Sequence, residues 1–256
     1  MKVYQLSKQK NIRDLGGLKT TDGRHIRYGR LFRGGLFNHV SEEDIKILES
    51  MHLTDVIDFR DKYEFVENPA YHLKGVTYHC FPTLNEEKKQ SKKDVEDGNL
   101  LWFIGDHSCG HNHMKFCYRM FVENDKSRQS FIDFLKFLEQ EDKVVYFHCS
   151  QGKDRTGFAA YILEIALGVS DEEAKKDYLY TNIAMEQRVE MHLEKLKDKS
   201  FFNESYRTDL IDVFSAKIEY LEESIKAIEQ NYGSVINFIR NGLKIDIEKL
   251  RAIYLE

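Results

Sequence analysis

The sequence of 256 residues has no apolar run long enough to cross a membrane, which excludes an integral membrane protein of the helical kind. Its four cysteines are too few and too irregularly spaced for a disulfide framework in a chain of this length. The first residues contain no hydrophobic segment typical of a secretory signal, so we expect a cytoplasmic protein. A formal net charge of −5 argues against a general nucleic-acid-binding protein.

The length and the 41% hydrophobic content suffice for one large domain, and we predict a single domain over residues 1–256. Strand-type and helix-type segments alternate, which predicts an α/β fold with a central, mostly parallel sheet of about four to five strands flanked by helices. The region after Ser170 is predicted to be helical. Residues 85–113 begin with a charged, polar stretch and are predicted to form a lid or a mobile insertion.

Capping residues and apolar spacing locate the individual elements. Ser41 and Ser170 are predicted N-caps, because each precedes a cluster of acidic residues that favours a helix N-terminus. Helical spacing of phenylalanines between residues 114 and 139 predicts two helices with a break near residues 124–127. Predicted strands cover residues 54–59, 77–81 and 144–148.

The segment His148–Gly157 carries most of the functional information in the sequence. It follows the β-type run 143–147 and precedes the helix-type run 158–165. Cys149 therefore ends a strand and Arg155 begins a helix, with five residues between them in which the backbone can curl and direct its N–H groups inward. The helix N-terminus adds partial positive charge. This arrangement predicts an anion cradle, with phosphate-binding residues at Ser150, Gln151, Gly152, Lys153, Asp154 and Arg155.

Each residue of this segment suggests a chemical role. Cys149, near a helix N-terminus and cations, is predicted to be a thiolate nucleophile at neutral pH. Arg155 offers a planar fork for two phosphoryl oxygens. Gly152 lacks a Cβ where the backbone must approach the anion closely. The Thr156 hydroxyl is a candidate stabiliser of the thiolate, and His148 is a candidate to position the cysteine backbone from behind.

The pattern His-Cys-x5-Arg-Thr-Gly resembles the active-site loop of the protein tyrosine phosphatase superfamily. The variant Gly-Lys-Asp-Arg-Thr-Gly is similar to a narrower group, the atypical bacterial phosphatases that act on phosphotyrosine and, in several members, on phosphoinositides. Other segments resemble blocks of that group in the same order, namely 11–17, 31–35 and 56–60 upstream and 232–234 and 250–255 near the C-terminus.

The resemblance implies a cysteine-phosphatase fold and hydrolysis of phosphomonoesters through a phosphocysteine intermediate, with inorganic phosphate as product. It implies phosphotyrosine proteins as substrates, with dual specificity as an extension and phosphoinositides as the alternative. Lys153 would suit an inositol phosphate if its side chain projected into the pocket. The cysteine route requires no cofactor and no metal.

The identity of the general acid is left open between two aspartates. The resemblance implicates the loop position Asp154, and Asp58 of the Asp-x-Arg block is the second candidate. Asp58 could equally form a structural ion pair with Arg13, Arg33 or Arg60. We favour Asp154.

Three histidines and two cysteines between residues 106 and 117 invite a zinc interpretation, but their spacing fits no ligand pattern. The functional alternative to zinc is that residues 85–113 form a lid over the active site, anchored by Trp102, Phe103 and Ile104, and a plain surface loop is left open beside it. Two further alternatives for the whole chain are a rhodanese-type sulfurtransferase and a pseudophosphatase. The intact cysteine and arginine of the loop disfavour both.

Overall fold

The computed structural model describes residues 2–9, 11–83, 109–141, 143–199 and 202–256. Predictions for residues 84–108, among them the lid and its anchors, lie outside the described residues. Six strands form one sheet among the described residues: β1 (Lys2–Tyr4), β2 (Ile12–Asp14), β3 (Leu31–Gly35), β4 (Asp55–Asp58), β5 (Thr77–Cys80) and β6 (Val145–Cys149).

The sheet has the strand order β1-β2-β3-β6-β4-β5. Strands β3, β6, β4 and β5 are parallel, whereas β1 and β2 add to one edge in antiparallel pairs. The predicted mostly parallel α/β sheet is confirmed, but the predicted number of four to five strands is too low. β1 and β2 have three residues each, too short for a clear apolar alternation in the sequence.

Most helices lie on the two faces of the sheet or in the C-terminal region. They are α1 (Glu42–Glu49), α2 (Lys62–Glu67), α3 (Gly110–Glu123), α4 (Asp125–Leu138), α5 (Asp154–Leu167), α6 (Asp171–Leu196), α7 (Glu204–Phe214), α8 (Ile218–Tyr232), α9 (Val235–Asn237) and α10 (Ile247–Tyr254), with a π-helical turn at Phe238–Gly242. The predicted helical C-terminal region is confirmed.

The predicted helix boundaries agree with the capping hydrogen bonds. The side chains of Ser41 and Ser170 accept backbone N–H groups of the first turns of α1 and α6, as predicted. Asn124 ends α3 and caps α4 with its side chain, which confirms the predicted break. α3 begins at Gly110, so residues 110–113 of the predicted insertion belong to a helix.

Successive residues of the central strands face opposite sides of the sheet, as the pleat requires. On one side, Ile57 and Phe147 belong to the larger core, which includes the buried rings of Phe131 and Phe134. On the other side, Val56 and Tyr146 belong to a smaller core with residues of α1. β6 is buried along its whole length, so the loop that follows it starts from a rigid position.

No helix among the described residues is long and apolar enough to cross a membrane.

Candidate active site

The predicted strand–loop–helix around the cysteine is present. Cys149 is the last residue of β6, and α5 begins at Asp154. The sulfur-bearing residue is 3% exposed. Its register partner in β3 is Gly35, so Cys149 lies at the carboxyl ends of two parallel strands, where α/β sheets place their ligands.

Carbonyl groups of the loop are held by residues outside it. Asn11 Nδ2 donates to the carbonyls of Gln151 and Gly152, at 3.1 Å in each case. Arg33 Nη2 donates to the Gly152 carbonyl at 3.2 Å, and the Ser150 carbonyl accepts from the backbone N–H of residue 36. Asn11 and Arg33 lie in two of the upstream blocks of the resemblance, but their contact with the loop was not predicted.

With the carbonyls held, the amides of the loop remain available. The hydrogen bonds among the described residues include none donated by the backbone N–H groups of residues 150–155. Those of Asp154 and Arg155 also lie at the N-terminus of α5, where no intrahelical acceptor exists. A loop with several unbonded amides at a helix N-terminus favours a bound anion.

The structure gives a reason for Gly152 that the sequence analysis did not predict. Its φ is +69°, and an added Cβ would lie 2.2 Å from the backbone of Gly34. The glycine therefore lets the loop pack against the end of β3 in a left-handed conformation. Gly157 similarly packs against the ring of Tyr178, which an added Cβ would approach to 3.0 Å.

Arg155 has a partner that the sequence analysis missed. Its Nη1 and Nη2 donate to the two carboxylate oxygens of Glu64 at 2.6 and 2.9 Å. Glu64 lies on α2 and also accepts a hydrogen bond from Ser150 Oγ at 2.5 Å. Burial acts to raise the pKa of Glu64, but the Arg155 charge and hydrogen bonds lower it to about 2. The guanidinium is thus held in a fixed plane beside the loop.

The side chain of Lys153 has partners that the sequence analysis did not predict. Its ammonium donates to the carbonyls of Val213 and Ser215, at 2.5 and 3.3 Å, at the end of α7. It also lies 3.2 Å from Asp154 Oδ1, so three partners match its three protons. The residue is 2% exposed. A phosphate-binding role for its backbone N–H stays a prediction.

The two candidate acids have different surroundings. The side chain of Asp154 is 27% exposed, and its Oδ1 accepts the Tyr118 hydroxyl at 2.9 Å. Asp58 is 3% exposed, and both its oxygens accept from the Arg60 guanidinium at 2.7 to 3.1 Å. Asp58 therefore forms the structural ion pair that the sequence allowed, and its partner is Arg60.

His148 lies behind the cysteine. Its Nδ1 is 3.0 Å from the Cys149 carbonyl, and its Nε2 is 3.5 Å from Asp58 Oδ2. Burial lowers the pKa of His148, which outweighs the opposing Asp58 carboxylate, so the ring is neutral at pH 7. The Thr156 hydroxyl is buried and has no hydrogen-bond partner among the described residues, so its predicted bond to the Cys149 sulfur is not formed in this structure.

A buried charged cluster supports the loop from below. Asp177 on α6 accepts from Arg13 Nε at 2.6 Å and from Arg33 Nη1 at 2.5 Å. Glu164 on α5 belongs to the same cluster and is fully buried. Burial, and next the Asp177 charge, raise the pKa of Glu164 well above its usual value, so it is a neutral acid. Arg33 joins this cluster to the loop through Gly152.

Within the part of the chain that the structure describes, no three His, Cys, Asp or Glu side chains are placed to hold a metal ion. Of the histidine- and cysteine-rich stretch, His113 and Cys117 are neighbours on one turn of α3, with Nε2 and Sγ 3.4 Å apart. The cysteines at 80, 109, 117 and 149 are all free thiols.

A cysteine and an arginine that flank an anion-binding loop at the end of a central parallel strand define the class of the site. The chain belongs to the tyrosine phosphatase family, whose sequence profile matches residues 4–256. It is a protein-tyrosine phosphatase, a phosphoric monoester hydrolase, and the resemblance noted in the sequence is confirmed.

Two curated relatives match over nearly the whole chain. The "Putative tyrosine-protein phosphatase H16_A0669" of Cupriavidus necator is 31% identical over 96% of this chain and 85% of its own length. The "Triple specificity protein phosphatase PtpB" of Mycobacterium tuberculosis is 24% identical over the full length of both. Among solved structures, P. aeruginosa TpbA with phosphotyrosine matches at 14% identity and a TM-score of 0.29, covering 90% of this chain and 88% of that one.

Proposed function

We propose that this phosphatase acts through a phosphocysteine intermediate on Cys149, within one domain formed by residues 1–256. The observation that carries the proposal is the loop itself: its carbonyls are held outward by Asn11 and Arg33, and the amides of residues 150–155 donate to no described acceptor. Such a ring of amides matches the oxygens of a phosphoryl group.

In the proposed first step, the Cys149 sulfur attacks phosphorus in line with the leaving oxygen. The S–P bond forms while the P–O bond breaks, and an aspartic acid delivers its proton to the leaving oxygen. Arg155 and the loop amides stabilise the charge that develops on the phosphoryl oxygens. In the second step, water attacks phosphorus, its proton goes to the same aspartate, and the cysteine leaves as thiolate with inorganic phosphate as product.

Asp154 is the proposed acid because its carboxyl group remains accessible. Its side chain is partly exposed, and the hydrogen bonds of the described residues include none to Oδ2. Asp58 is buried and has both oxygens bonded to Arg60. Protonation of Asp58 would break that pair, so it suits a structural role.

Phosphotyrosine proteins are the proposed substrates, with phosphoserine and phosphothreonine proteins as an extension. The relative named as a triple specificity phosphatase supports a broad range. Phosphoinositides remain the alternative class, but the sequence argument for them weakens, since the Lys153 ammonium already bonds to two carbonyls at the end of α7 and to Asp154.

The test compares an aryl phosphate, a phosphotyrosine peptide and monophosphorylated phosphatidylinositols on the parent and three variants. Cys149→Ser is expected to lose turnover by at least about 10³-fold while retaining substrate binding. Asp154→Asn should lose about 10²-fold on the phosphotyrosine peptide and much less on an aryl phosphate with a good leaving group. Asp58→Asn should lose thermal stability more than it alters the dependence on leaving group.

Trapping of a ³²P-labelled intermediate on acid quench of the parent gives the direct measurement. A parent that forms no labelled cysteine, or a serine variant that keeps its turnover, would contradict the proposal. If Asp58→Asn loses most of its turnover on substrates with basic leaving groups while Asp154→Asn does not, the acid is Asp58. Thiosulfate:cyanide sulfurtransfer without phosphate release would indicate the rhodanese-type alternative.

A further inference from the structure

Asp154 is the end of a chain of buried hydroxyl groups. The Tyr118 hydroxyl donates to Asp154 Oδ1 at 2.9 Å and lies 2.8 Å from the Tyr178 hydroxyl. The Tyr178 hydroxyl lies 3.2 Å from the Lys217 carbonyl. Tyr118 comes from α3 and Tyr178 from α6, and both are essentially inaccessible to solvent, at 0% and 1% exposure. Two phenols thus lead from the interior to one carboxylate oxygen.

The hydroxyl proton of Tyr118 fixes which group donates in its hydrogen bond to Asp154. Each phenol has one proton, and that of Tyr118 goes to Asp154. The Tyr178 hydroxyl donates its own proton to the Lys217 carbonyl, and its oxygen lies 2.8 Å from the Tyr118 oxygen, so Tyr178 helps to hold the Tyr118 hydroxyl in place. Burial, and next the Asp154 charge, raise the pKa of Tyr118 well above its usual value, so the phenol keeps its proton. The Tyr118 proton therefore stays directed at the carboxylate.

The two oxygens of Asp154 are consequently unlike. Oδ1 faces the Tyr118 hydroxyl and, at 3.2 Å, the Lys153 ammonium, which can only donate. A proton on Oδ1 would compete with the two hydrogen atoms that the Tyr118 hydroxyl and the Lys153 ammonium direct at that oxygen. Oδ2 accepts no hydrogen bond from the described residues, and the side chain is 27% exposed. A proton on Asp154 therefore belongs on Oδ2.

We propose that Tyr118, backed by Tyr178, is a positioning residue of the phosphatase reaction, which holds Oδ1 so that Oδ2 carries the transferred proton. This rests on the proposed role of Asp154 as the acid. In the first step the Oδ2 proton moves to the leaving oxygen as the P–O bond breaks. In the second, Oδ2 accepts the proton of the attacking water. Oδ1 keeps its donors throughout, so the carboxyl does not rotate between the steps.

The test is Tyr118→Phe, which removes the hydroxyl and keeps the ring. Substituted phenyl phosphates of increasing leaving-group pKa serve as substrates, because an acid matters more for a poorer leaving group. We expect kcat/KM to fall about 10-fold on unsubstituted phenyl phosphate and to stay nearly unchanged on nitrophenyl phosphate, because kcat/KM reports the step in which the P–O bond breaks. The slope of log kcat/KM against leaving-group pKa should become steeper. Tyr178→Phe should steepen it less.

Tyr161→Phe is the matched control, since the Tyr161 hydroxyl also donates to an aspartate, Asp171 Oδ1 at 2.8 Å, away from the loop. It should lose comparable thermal stability with an unaltered slope. An unaltered slope in both Tyr118→Phe and Tyr178→Phe overturns the proposal, and so does an equal loss of kcat/KM on every substrate.

Asp154→Asn, measured in parallel, separates this inference from the proposed function. A steep slope in Asp154→Asn with a parent-like slope in the folded tyrosine variants refutes only the positioning role. A parent-like slope in Asp154→Asn refutes the acid assignment itself. Should Tyr118→Phe fail to fold, Tyr178→Phe decides between the same outcomes.

Discussion

Arg155 and Glu64 form a two-pronged ion pair at the edge of the cradle, with N···O distances of 2.6 and 2.9 Å. The arginine lies in the first turn of α5 and the glutamate lies on the short helix α2. A guanidinium that must follow phosphoryl oxygens into a transition state needs its plane set in advance, and this carboxylate sets it. The pair therefore links the fold of residues 61–67 to the chemistry at Cys149.

Glu64→Gln should weaken phosphate binding and turnover together. The amide keeps one hydrogen-bond acceptor but loses the charge and the symmetric fork, so we expect kcat/KM to fall about 10-fold and competitive inhibition by phosphate to weaken by a similar factor. Steady-state kinetics with phosphate as inhibitor measure both. Glu67→Gln, an exposed position on the same helix, is the control and should behave as the parent.

The same ion pair predicts a pH dependence of stability. The pKa of Glu64 is lowered to about 2 in the folded protein, from an ordinary value of 4.5. Its contribution to the free energy of unfolding is therefore fully present above pH 4.5 and is lost as the pH falls toward 2. Urea unfolding at pH 6 and pH 3.5 should show a larger acid-induced loss for the parent than for Glu64→Gln. Equal losses would show that the pair does not stabilise the fold.

Amide substitutions at the two carboxyl groups of the buried cluster should differ strongly in their effect on the free energy of unfolding. Glu164 is neutral, so Glu164→Gln should change the free energy of unfolding by less than about 1 kcal/mol. Asp177→Asn leaves Arg13 and Arg33 without their carboxylate and should cost about 3 to 5 kcal/mol.

The sign of the pH effect provides the check on Glu164. Because its pKa is raised in the folded protein, its contribution is fully present below the ordinary pKa and is lost as the pH rises toward the raised value. The parent should therefore lose more stability than Glu164→Gln does as the pH rises from about 4.5. A strongly destabilised Glu164→Gln at pH 6 would contradict a neutral carboxyl.

Alanine substitutions at two glycines with positive φ distinguish the cost of steric contact from the cost of backbone strain. Gly152→Ala would bring a Cβ to 2.2 Å from the Gly34 backbone, so it should cost about 3 kcal/mol or more and abolish turnover. Gly23 has a φ of +91°, but an added Cβ would meet no atom within 4 Å. Gly23→Ala should therefore lower the free energy of unfolding by only about 1 kcal/mol and leave activity normal. Thermal melts and kcat measure the two effects; a fully active Gly152→Ala would contradict the packing argument.

The loop could be predicted from the sequence because its determinants are local. A strand, five residues and a helix N-terminus are enough to place Cys149 and Arg155, whatever the rest of the chain does. Helix caps such as Ser41 and Ser170 were predictable for the same reason. The three-residue strands β1 and β2 were not, since segments so short acquire strand geometry only from the neighbours with which they pair.

By itself, then, the amino-acid order determined the strand–loop–helix that holds Cys149 and Arg155 and the α/β class, through short-range spacing and hydrophobic periodicity. It also predicts the nucleophile and the anion cradle at that place. Only the tertiary structure decided that Glu64 binds an arginine 91 positions away, that Asn11 reaches the loop across 141 positions, and that Tyr118 meets Asp154. It also decided that the Lys153 ammonium bonds to the Val213 carbonyl, 60 positions away. The physical reason is that partners distant in sequence are selected by packing of whole elements, which leaves no periodic trace along the chain.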